Sequence, residues 1–408
     1  MAKRKKKATL ASQTAQTSKS KSSSKPPAKP AASKSKAAGR PAKFDHEALR
    51  KLRARLEKTD RDLLDLLNRR ANVAGRLAEL CQSAPPKTKA VAKGDDAAAL
   101  DARAIDDLVE RNEGPLSSEM VHSIFRELAS GCRELTRTTR VGFLGPMYSY
   151  SYLAALQRFG SSSDLVPLGS IATVFEEVVS KNIDYGIVPL ENSTDGRVSD
   201  TLKMFSRVAV RVNGEVNLKI HHNLLASGPR AKLKRVCSKP QALSQCRGWL
   251  AEHLPSVELV ETSSTTAAAE MASKDATIGA IASREAGIHY GLETAAAKIE
   301  DNKNNVTRFA VLGQQTGPKT GDDKTALLFQ VIHKPGALAD ILAVFKRSKL
   351  NLTWIESFPL HEKNNEYFFF AELQGHESDL KVRKAVTAIT KKTQVLKVLG
   401  SYAATPVV

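Results

Sequence analysis

A regular apolar stripe in residues 46–81 restricts the fold of this chain more than any other feature of its sequence. Positions that alternate in steps of three and four carry Leu49, Leu52, Leu56, Leu63, Leu66, Val73, Leu77 and Leu80. This spacing predicts one helix, about 54 Å long at 1.5 Å per residue. Because one short partner cannot cover so long a stripe, we expect the helix to pair with a second copy of the chain in an intertwined dimer.

Residues 44–138 as a whole are predicted to form an all-α domain. After a break rich in lysine and proline, residues 100–113 and 117–137 have the spacing of two further helices, the second with a serine cap. Arg70 interrupts the apolar stripe of the first helix, and a buried guanidinium needs an anion beside it. The alternative is an arginine whose charged end reaches solvent at the edge of the helix.

Residues 1–43 are predicted to be a disordered basic tail. They hold eleven lysines and two arginines of a chain with net charge +19, and they contain neither Asp nor Glu. Without apolar periodicity, such a segment cannot offset the entropy lost on folding. Basic tails bind nucleic acid through its phosphates, but this one lacks interleaved aromatic residues for base stacking. We therefore expect a solubilising extension rather than a nucleic-acid-binding segment.

The remaining composition excludes several classes of protein. No apolar run approaches the roughly 18 residues of a membrane-spanning helix, and the start lacks the apolar segment of a secretory signal. The four cysteines do not form a C-x-x-C pair; they are Cys81, Cys132, Cys237 and Cys246. We therefore expect a cytoplasmic protein with reduced thiols, and we expect neither a metal site nor a cofactor.

Residues 139–316 alternate short apolar strands with helices, the pattern of an α/β domain. Three of its loops, 148–151, 191–194 and 262–266, are rich in hydroxyl and amide side chains. A fourth polar segment, NVTRF at 305–309, leads into an apolar run. Because helix N-termini that follow such loops bind anions, we expect these segments to surround one small acidic ligand.

The end of the chain is predicted to be a separate module. Residues 317–324 are a linker rich in glycine and aspartate, and residues 325–408 have the order β-α-β-β-α-β. That order is typical of a ferredoxin-like α+β fold, which does not by itself fix a function.

Taken together, the motifs resemble those of the bifunctional chorismate mutase–prephenate dehydratase family, the P-proteins of phenylalanine biosynthesis. The strongest are GFLGP at 142–146, DYGIVPLENS at 184–193, HHNLL at 221–225, PQAL at 240–243 and NVTRF at 305–309. The resemblance runs from residue 46 to residue 403. It implies a chorismate-mutase-like helical domain, a two-lobed α/β dehydratase domain like a periplasmic binding protein, and a C-terminal ACT domain.

The resemblance also implies a dehydratase site in which Thr307 is the catalytic residue. Prephenate loses its ring carboxylate as CO2 and its ring hydroxyl as water, so a proton or a strong hydrogen bond must reach the leaving oxygen. The matching substrate-binding positions are Arg308, Asn305, Ser149, Asn192, Ser193, Ser238, Gln245, Ser264 and Thr265. Arg308 would anchor a substrate carboxylate or stabilise the loop. Two rim positions differ from the family, with Tyr148 for a glycine and Lys239 for a histidine.

The helical domain departs from the family at residues that bind chorismate. Arg53 and Arg70 match the arginines that hold the substrate, but the family's lysine falls on Cys81. Its late serine and glutamine fall on Cys132 and Thr136. Because the rearrangement of chorismate needs those donors, we expect a weak or lost mutase and a domain kept for dimerisation. The alternative is a fully bifunctional enzyme.

For the ACT domain the resemblance implies L-phenylalanine as an allosteric effector. The matching effector-binding positions are Gly336, Ala337, Leu338, Asn351, Leu352, Glu356 and Ser357. The family's Glu-Ser-Arg-Pro motif has Phe358 in place of arginine, which bears on the strength of feedback inhibition.

The sequence therefore predicts a prephenate dehydratase that forms a homodimer or homotetramer. A preference for arogenate is an alternative within the same chemistry. An alternative of another class is a non-catalytic amino-acid sensor, built from a binding-protein-like cleft and an ACT domain. The hydroxyl of Thr307 and the polar set around it favour the enzyme.

Overall fold

The computed structural model describes residues 45–83, 97–359 and 367–405. The predicted basic tail, residues 1–43, lies outside these ranges. The chain divides into two compact units, Met1–Asp60 and Arg61–Val408. Within the first unit, the described residues belong to the start of the first helix. The rest of the first helix and all later elements belong to the second unit.

Three helices form the N-terminal region, as predicted: α1 (His46–Ser83), α2 (Ala97–Glu110) and α3 (Ser118–Glu134). The hydroxyl of Ser117 caps α3 by accepting a hydrogen bond from the backbone N–H of Met120, at 3.2 Å. The apolar stripe of α1 is exposed to solvent in the single chain, with Val73 at 66% and Leu80 at 70% exposure. Within the described residues, therefore, most of this stripe lacks apolar cover; Leu49 alone among its apolar side chains is half-buried.

The first lobe of the α/β region is a mixed sheet with the strand order β2-β1-β3-β11-β5, and β4 pairs with β3. Its strands are β1 (Arg140–Leu144), β2 (Asp164–Leu168), β3 (Tyr185–Asn192), β4 (Gly196–Arg197), β5 (Arg211–Lys219) and β11 (Val306–Gly313). Its helices are α4 (Tyr150–Phe159), α5 (Ile171–Val179) and α6 (Ser199–Arg207). In β3, Ile187 packs against Phe159 on one face, whereas Val188 packs in the cluster of Phe205 on the other. The continuous apolar run of β3 follows from this double cover.

The second lobe has the strand order β10-β6-β9-β7-β8. Its strands are β6 (Asn223–Ala226), β7 (Arg235–Ser238), β8 (Glu258–Glu261), β9 (Ile278–Ala282) and β10 (Glu293–Ala296). Its helices are α7 (Pro240–Gln245), α8 (Arg247–His253), α9 (Thr265–Lys274) and α10 (Arg284–His289), with a 3-10 turn at Arg230–Lys232.

Two connections join the lobes, one between β5 and β6 and one between β10 and β11. They run side by side: the backbone N–H of Ile220 donates to the carbonyl of Asn305, and that of Ile299 donates to the carbonyl of His222, both at 2.8 Å. The predicted two-lobed architecture is confirmed. It places the residues of both connections at the floor of the cleft between the lobes.

The C-terminal module has the predicted ferredoxin-like order, with an antiparallel sheet arranged β13-β14-β12-β15. Its elements are β12 (Asp323–Val331), α11 (Ala337–Arg347), β13 (Leu352–Pro359), β14 (Tyr367–Gln374), α12 (Leu380–Thr390) and β15 (Thr393–Ala403). One face of the sheet packs on its own helices, for example Phe329 against Ile341 and Ile389.

The other face of this sheet packs on the first lobe and forms one core with it. Phe370 lies against Phe205 of α6, with ring centroids 5.9 Å apart. Phe358 belongs to the same core and is only 2% exposed. The phenylalanine that stands in place of the family's arginine therefore attaches the module to the lobe, because an apolar ring in this core removes apolar area from water.

None of the helices in the described ranges combines the length and the apolar character that crossing a membrane requires.

Candidate active site

The cleft between the two lobes has a cavity volume of about 860 Å³, in the range of small-molecule sites. Thr307 and Asn192 form its floor, Ser149 stands on the first lobe, and Gln245 with Ser264 comes from the second. Among the residues that the structure describes, no three side chains of His, Cys, Asp or Glu are grouped as metal ligands.

Thr307 and Asn192 are direct neighbours across strands β11 and β3. The side-chain amide of Asn192 donates one hydrogen bond to Oγ1 of Thr307, at 2.8 Å, and another to Oδ1 of Asn305, at 2.9 Å. Because the threonine oxygen accepts in this contact, its own proton remains for a group in the cleft. Asn192 therefore fixes the Thr307 hydroxyl as a donor toward the ligand.

Gln245 extends this network across the cleft. Its Oε1 accepts from Nδ2 of Asn305 and lies 2.8 Å from Nε2 of His222, while its own Nε2 donates to Asp195 at 2.9 Å. Since an amide oxygen only accepts, Nε2 of His222 carries the proton. The other ring nitrogen, Nδ1, then faces the hydroxyl of Tyr150 at 3.0 Å. One hydrogen-bonded chain thus joins the two lobes beneath the cleft.

The protonation states of this network follow from burial and from the partners. Burial lowers the pKa of His222, although its hydrogen bond to Gln245 opposes the change. Burial raises the pKa of Tyr150 well above its ordinary value. Burial would also raise the pKa of Glu300, but hydrogen bonds from His221 and from backbone N–H groups lower it overall. At neutral pH, His222 is neutral beside an ionised Glu300.

Cationic side chains line the wall of the cleft. Lys203 and Arg207 are four residues apart on α6, and Lys239 stands opposite them at the start of α7. Arg197 also lines the cleft, but it forms an ion pair with Glu356 at 2.6 Å. Such cations can hold the carboxylates of an acidic ligand.

Sequence reasoning did not identify His222, Tyr150, Lys203 or Arg207 as site residues, and it noted Lys239 only as a departure at the rim. The i, i+4 spacing of Lys203 and Arg207 was the available signal, because it places both on one side of a helix.

The structure brings six of the predicted site residues to the cleft: Thr307, Asn192, Gln245, Ser149, Ser264 and Thr265. Ser149 and Ser264 also cap the helices α4 and α9, so two helix N-termini point at the cavity. Asn305 lies behind this layer, 1% exposed, where it connects Asn192 to Gln245.

Three predicted residues do not reach the cleft. Ser238 is fully buried and donates its hydroxyl proton to the carbonyl of Ile281, at 2.6 Å. The hydroxyl of Ser193 is used by backbone groups, because it donates to the carbonyl of Asn304 and accepts from the N–H of Val306. Both serines therefore use their hydroxyls within the protein, where they hold loops and strands in place.

Arg308 is the third. It follows Thr307 on a strand, where consecutive side chains point to opposite faces, and its guanidinium contacts the ACT domain instead of the cleft.

Tyr148 lies between the lobes rather than at the rim of the cleft. It adopts a left-handed backbone conformation with φ 63°. Its ring stacks on His289 of the second lobe, with centroids 4.0 Å apart. The position where the family has a glycine thus supplies a contact between the lobes.

The predicted mutase residues belong to the two different units. Arg53 is exposed in the first unit. In the second, Nη1 of the half-buried Arg70 donates to the sulfur of Cys132, at 3.2 Å. Thr136 is exposed and donates its hydroxyl proton to the carbonyl of Arg133. The side chain of Cys81 lies outside the described part of the chain.

The predicted effector residues fall into two groups. Gly336, Ala337 and Leu338 line a pocket of about 350 Å³ together with Tyr367 and Phe369. The others lie on or just before β13 and do not line this pocket; they are Asn351, Leu352, Glu356 and Ser357.

Three protein-family models match the chain, each over a different region. The model for chorismate mutase type II matches residues 52–137, that for prephenate dehydratase matches 141–317, and that for the ACT domain matches 325–390. The bifunctional chorismate mutase/prephenate dehydratase of Aquifex aeolicus is 38% identical over 87% of this chain and 98% of that protein.

Two solved structures share the fold of the dehydratase and ACT regions. The prephenate dehydratase of Arthrobacter aurescens in complex with L-Phe has a TM-score of 0.61 and is 32% identical, over 65% of this chain and 89% of that one. GqqA, described as a novel type of quorum quenching acylase, has a TM-score of 0.60 and is 28% identical, over 65% and 98%. With three family models matching in succession and the Aquifex protein covered over almost its full length, the chain belongs to the bifunctional chorismate mutase/prephenate dehydratase family.

Proposed function

We propose that this chain is a prephenate dehydratase, which converts prephenate to phenylpyruvate, CO2 and water. The observation that carries the proposal is the Thr307 hydroxyl, held by Asn192 with its proton free for a ligand at the floor of the cleft. The match to the prephenate dehydratase family model over residues 141–317 supports it.

The cleft supplies what this reaction needs. Lys203, Arg207 and Lys239 provide cations for the two carboxylates of prephenate. The Thr307 hydroxyl donates a hydrogen bond to the ring hydroxyl as it leaves, while the C–C bond to the ring carboxylate breaks and its electron pair enters the ring. One proton is consumed when the hydroxide leaves as water, and solvent supplies it, because the Asn192 amide that bonds to Thr307 is not an acid. Thr307 contributes the hydrogen bond to the leaving oxygen rather than acting as a strong acid.

Chorismate mutase activity is the second function, supported by the family model over residues 52–137. We propose that its rate is low. Arg70 donates to the sulfur of Cys132, which is a weak acceptor, and this sulfur is also a poorer donor to a substrate than the family's serine hydroxyl would be. The helical region then serves chiefly to join two chains.

Regulation and assembly are proposals of the same kind. The pocket beside Gly336 is proposed to take L-phenylalanine, the ligand of the Arthrobacter structure. A second copy of the chain is proposed to cover the exposed stripe of α1.

The test supplies chorismate and prephenate separately to the full chain and measures phenylpyruvate formation. We expect wild type to turn over prephenate, Thr307→Val to lose about 100-fold or more in kcat, and Thr307→Ser to retain most of it because the hydroxyl remains. A wild-type chain without phenylpyruvate formation rejects the function. A fully active Thr307→Val variant rejects the site assignment. A kcat for chorismate comparable with that for prephenate rejects the proposal that the mutase is slow.

A further inference from the structure

The residue after Thr307 has its contacts in the regulatory domain. Because Thr307 and Arg308 are consecutive on β11, Thr307 faces the cleft and Arg308 faces the opposite side. The Arg308 side chain is only 12% exposed. Its nearest partner is Glu372 of β14, with Nη1 and Oε2 2.6 Å apart. Its guanidinium also lies over the ring of Trp354 of β13, 4.5 Å from the centroid.

Carboxylates of the first lobe complete the surroundings of this guanidinium. Glu191 of β3 lies 3.1 Å from Nη2, and Glu215 of β5 lies 3.4 Å from Nη1. Glu372 is 1% exposed and also accepts the hydroxyl proton of Tyr402, at 2.7 Å. Burial opposes the charge of Arg308, but the Glu372 carboxylate outweighs this and raises the pKa of Arg308. The ACT domain therefore supplies the shortest ion pair of a buried charge, and such a charge needs its partner.

The pairing of β11 with β3 is irregular just after Thr307, whereas its pairing with β5 is regular there. The pairing of β11 with β3 shifts register between Arg308 and Phe309, so the ladder is interrupted one residue after Thr307. Phe309 is then opposite Pro189, which has no N–H to donate. On this side of the strand, the ion pair of Arg308 with Glu191 also joins β11 to β3.

We propose that the ACT domain completes the dehydratase site: Glu372 and Trp354 hold Arg308, and Arg308 fixes the segment of β11 that presents Thr307 to the substrate. Arg308 is thus a positioning residue, not a ligand of the substrate carboxylates. The inference rests on the proposed role of Thr307 in the dehydratase.

The chain contains a matched control for this contact. Nη2 of Arg211 in β5 donates to both carboxylate oxygens of Glu377 in the ACT domain, at 2.7 and 2.9 Å. This ion pair joins the same two domains, but Arg211 pairs with Gly313 at the far end of β11. Gly313 lies six positions after Thr307, about 20 Å along a strand. Loss of this pair weakens the interface without touching the segment of Thr307.

The experiment compares Glu372→Gln with Glu377→Gln in the full chain, measuring kcat and KM for prephenate and the unfolding temperature. We expect Glu372→Gln to lower kcat about 10-fold or more with KM within about threefold, and Glu377→Gln to keep kcat within about twofold. In a Thr307→Val background, Glu372→Gln should cause no further loss, since it acts through Thr307. Two outcomes would overturn the inference: equal kcat values for Glu372→Gln and Glu377→Gln, or a loss of kcat from Glu372→Gln that is as large in the Thr307→Val background as in wild type.

A second variant tests the same contact in case Glu372→Gln does not fold. Trp354→Leu keeps an apolar side chain in the interface and all the charges; it removes the contact of the ring with the guanidinium, together with the edge contact of the ring on Phe370. We expect Trp354→Leu to lower kcat about threefold, and we expect no such loss in the Thr307→Val background. A Trp354→Leu variant with the same kcat as wild type would contradict the inference. A wild-type chain that forms no phenylpyruvate rejects the dehydratase function itself, whereas an active wild type with equal variants rejects only the role of Arg308.

Discussion

At the scale of single residues, the direction of each hydrogen bond decides the chemistry of this site. Asn192 uses both hydrogens of its amide, one on Thr307 and one on Asn305. Its oxygen accepts from the backbone N–H groups of Thr194 and Asp195. If the side-chain amide of Asn192 were rotated by 180°, its nitrogen and its oxygen would both lose their hydrogen bonds. The amide nitrogen therefore stays on Thr307, and the Thr307 hydroxyl is left as a donor.

Asn192→Asp tests this direction, because the shape of the side chain stays and its donors disappear. The Thr307 proton would then bond to the new carboxylate instead of the substrate, so we expect kcat for prephenate to fall about 100-fold. Asn302→Asp is the control, since it places the same charge near Thr194 but outside the network. Similar losses in both variants would point to simple repulsion of an anionic substrate and contradict the directional role.

His222 predicts a pH dependence of stability. Its pKa is lowered in the folded protein, mainly by burial, from an ordinary value of 6.5. As pH falls below about 6.5, the unfolded chain takes up a proton that the folded one resists, so the free energy of unfolding decreases. Glu300, Asp195, His221 and Tyr150 face this ring; hydrogen bonds from His221 and from backbone N–H groups outweigh burial and hold the pKa of Glu300 below its ordinary value.

The measurement is urea unfolding between pH 5 and pH 7.5. We expect a shallower pH dependence in His222→Gln than in wild type. His122 has a lowered pKa as well, so some slope remains in the variant. Identical slopes in both proteins would mean that His222 titrates normally in the fold.

The resemblance to the family picked out Thr307, Asn192 and Gln245 as cleft residues, and all three line the cavity. It could not show that Arg308 leaves the cleft, since that depends on which face of β11 meets which neighbour. Nor could it separate Ser238, whose hydroxyl bonds to a carbonyl inside the second lobe, from a serine that lines the cavity. Side-chain direction is a tertiary property.

At the scale of elements, helix α1 is the case in which sequence and structure agree best. The stripe predicted a helix over residues 46–81, and α1 spans His46–Ser83. The pairing of β11 between β3 and β5 was beyond prediction, because its partners lie about a hundred residues earlier in the chain. Local spacing determines a helix, whereas sheet order depends on distant contacts.

The exposed stripe of α1 predicts self-association. Leu77 is 60% exposed in the single chain, so Leu77→Glu should place a charge in the proposed interface and halve the mass measured by light scattering. Arg76→Glu, on the neighbouring exposed position, should leave the mass unchanged. A monomeric wild type, or an unchanged mass for Leu77→Glu, would contradict the proposed partner.

At the scale of the whole molecule, the ACT sheet is covered on both faces. Phe329 faces its own helices, while Leu328 and Phe370 face the first lobe. The sequence carried a signal for this, because β12 and β14 are runs of consecutive apolar residues rather than alternating ones. The identity of the second cover could not be inferred from the run alone.

The shared core limits how this protein can be rebuilt by recombination. A foreign regulatory module would bring an outer face shaped for another neighbour, and Phe175 and Phe205 of the first lobe would lose their cover. We therefore expect that a chimera in which the ACT domain of another protein replaces residues 325–403 alone will be insoluble. A chimera should therefore exchange the ACT domain together with the first lobe, because the two share one core.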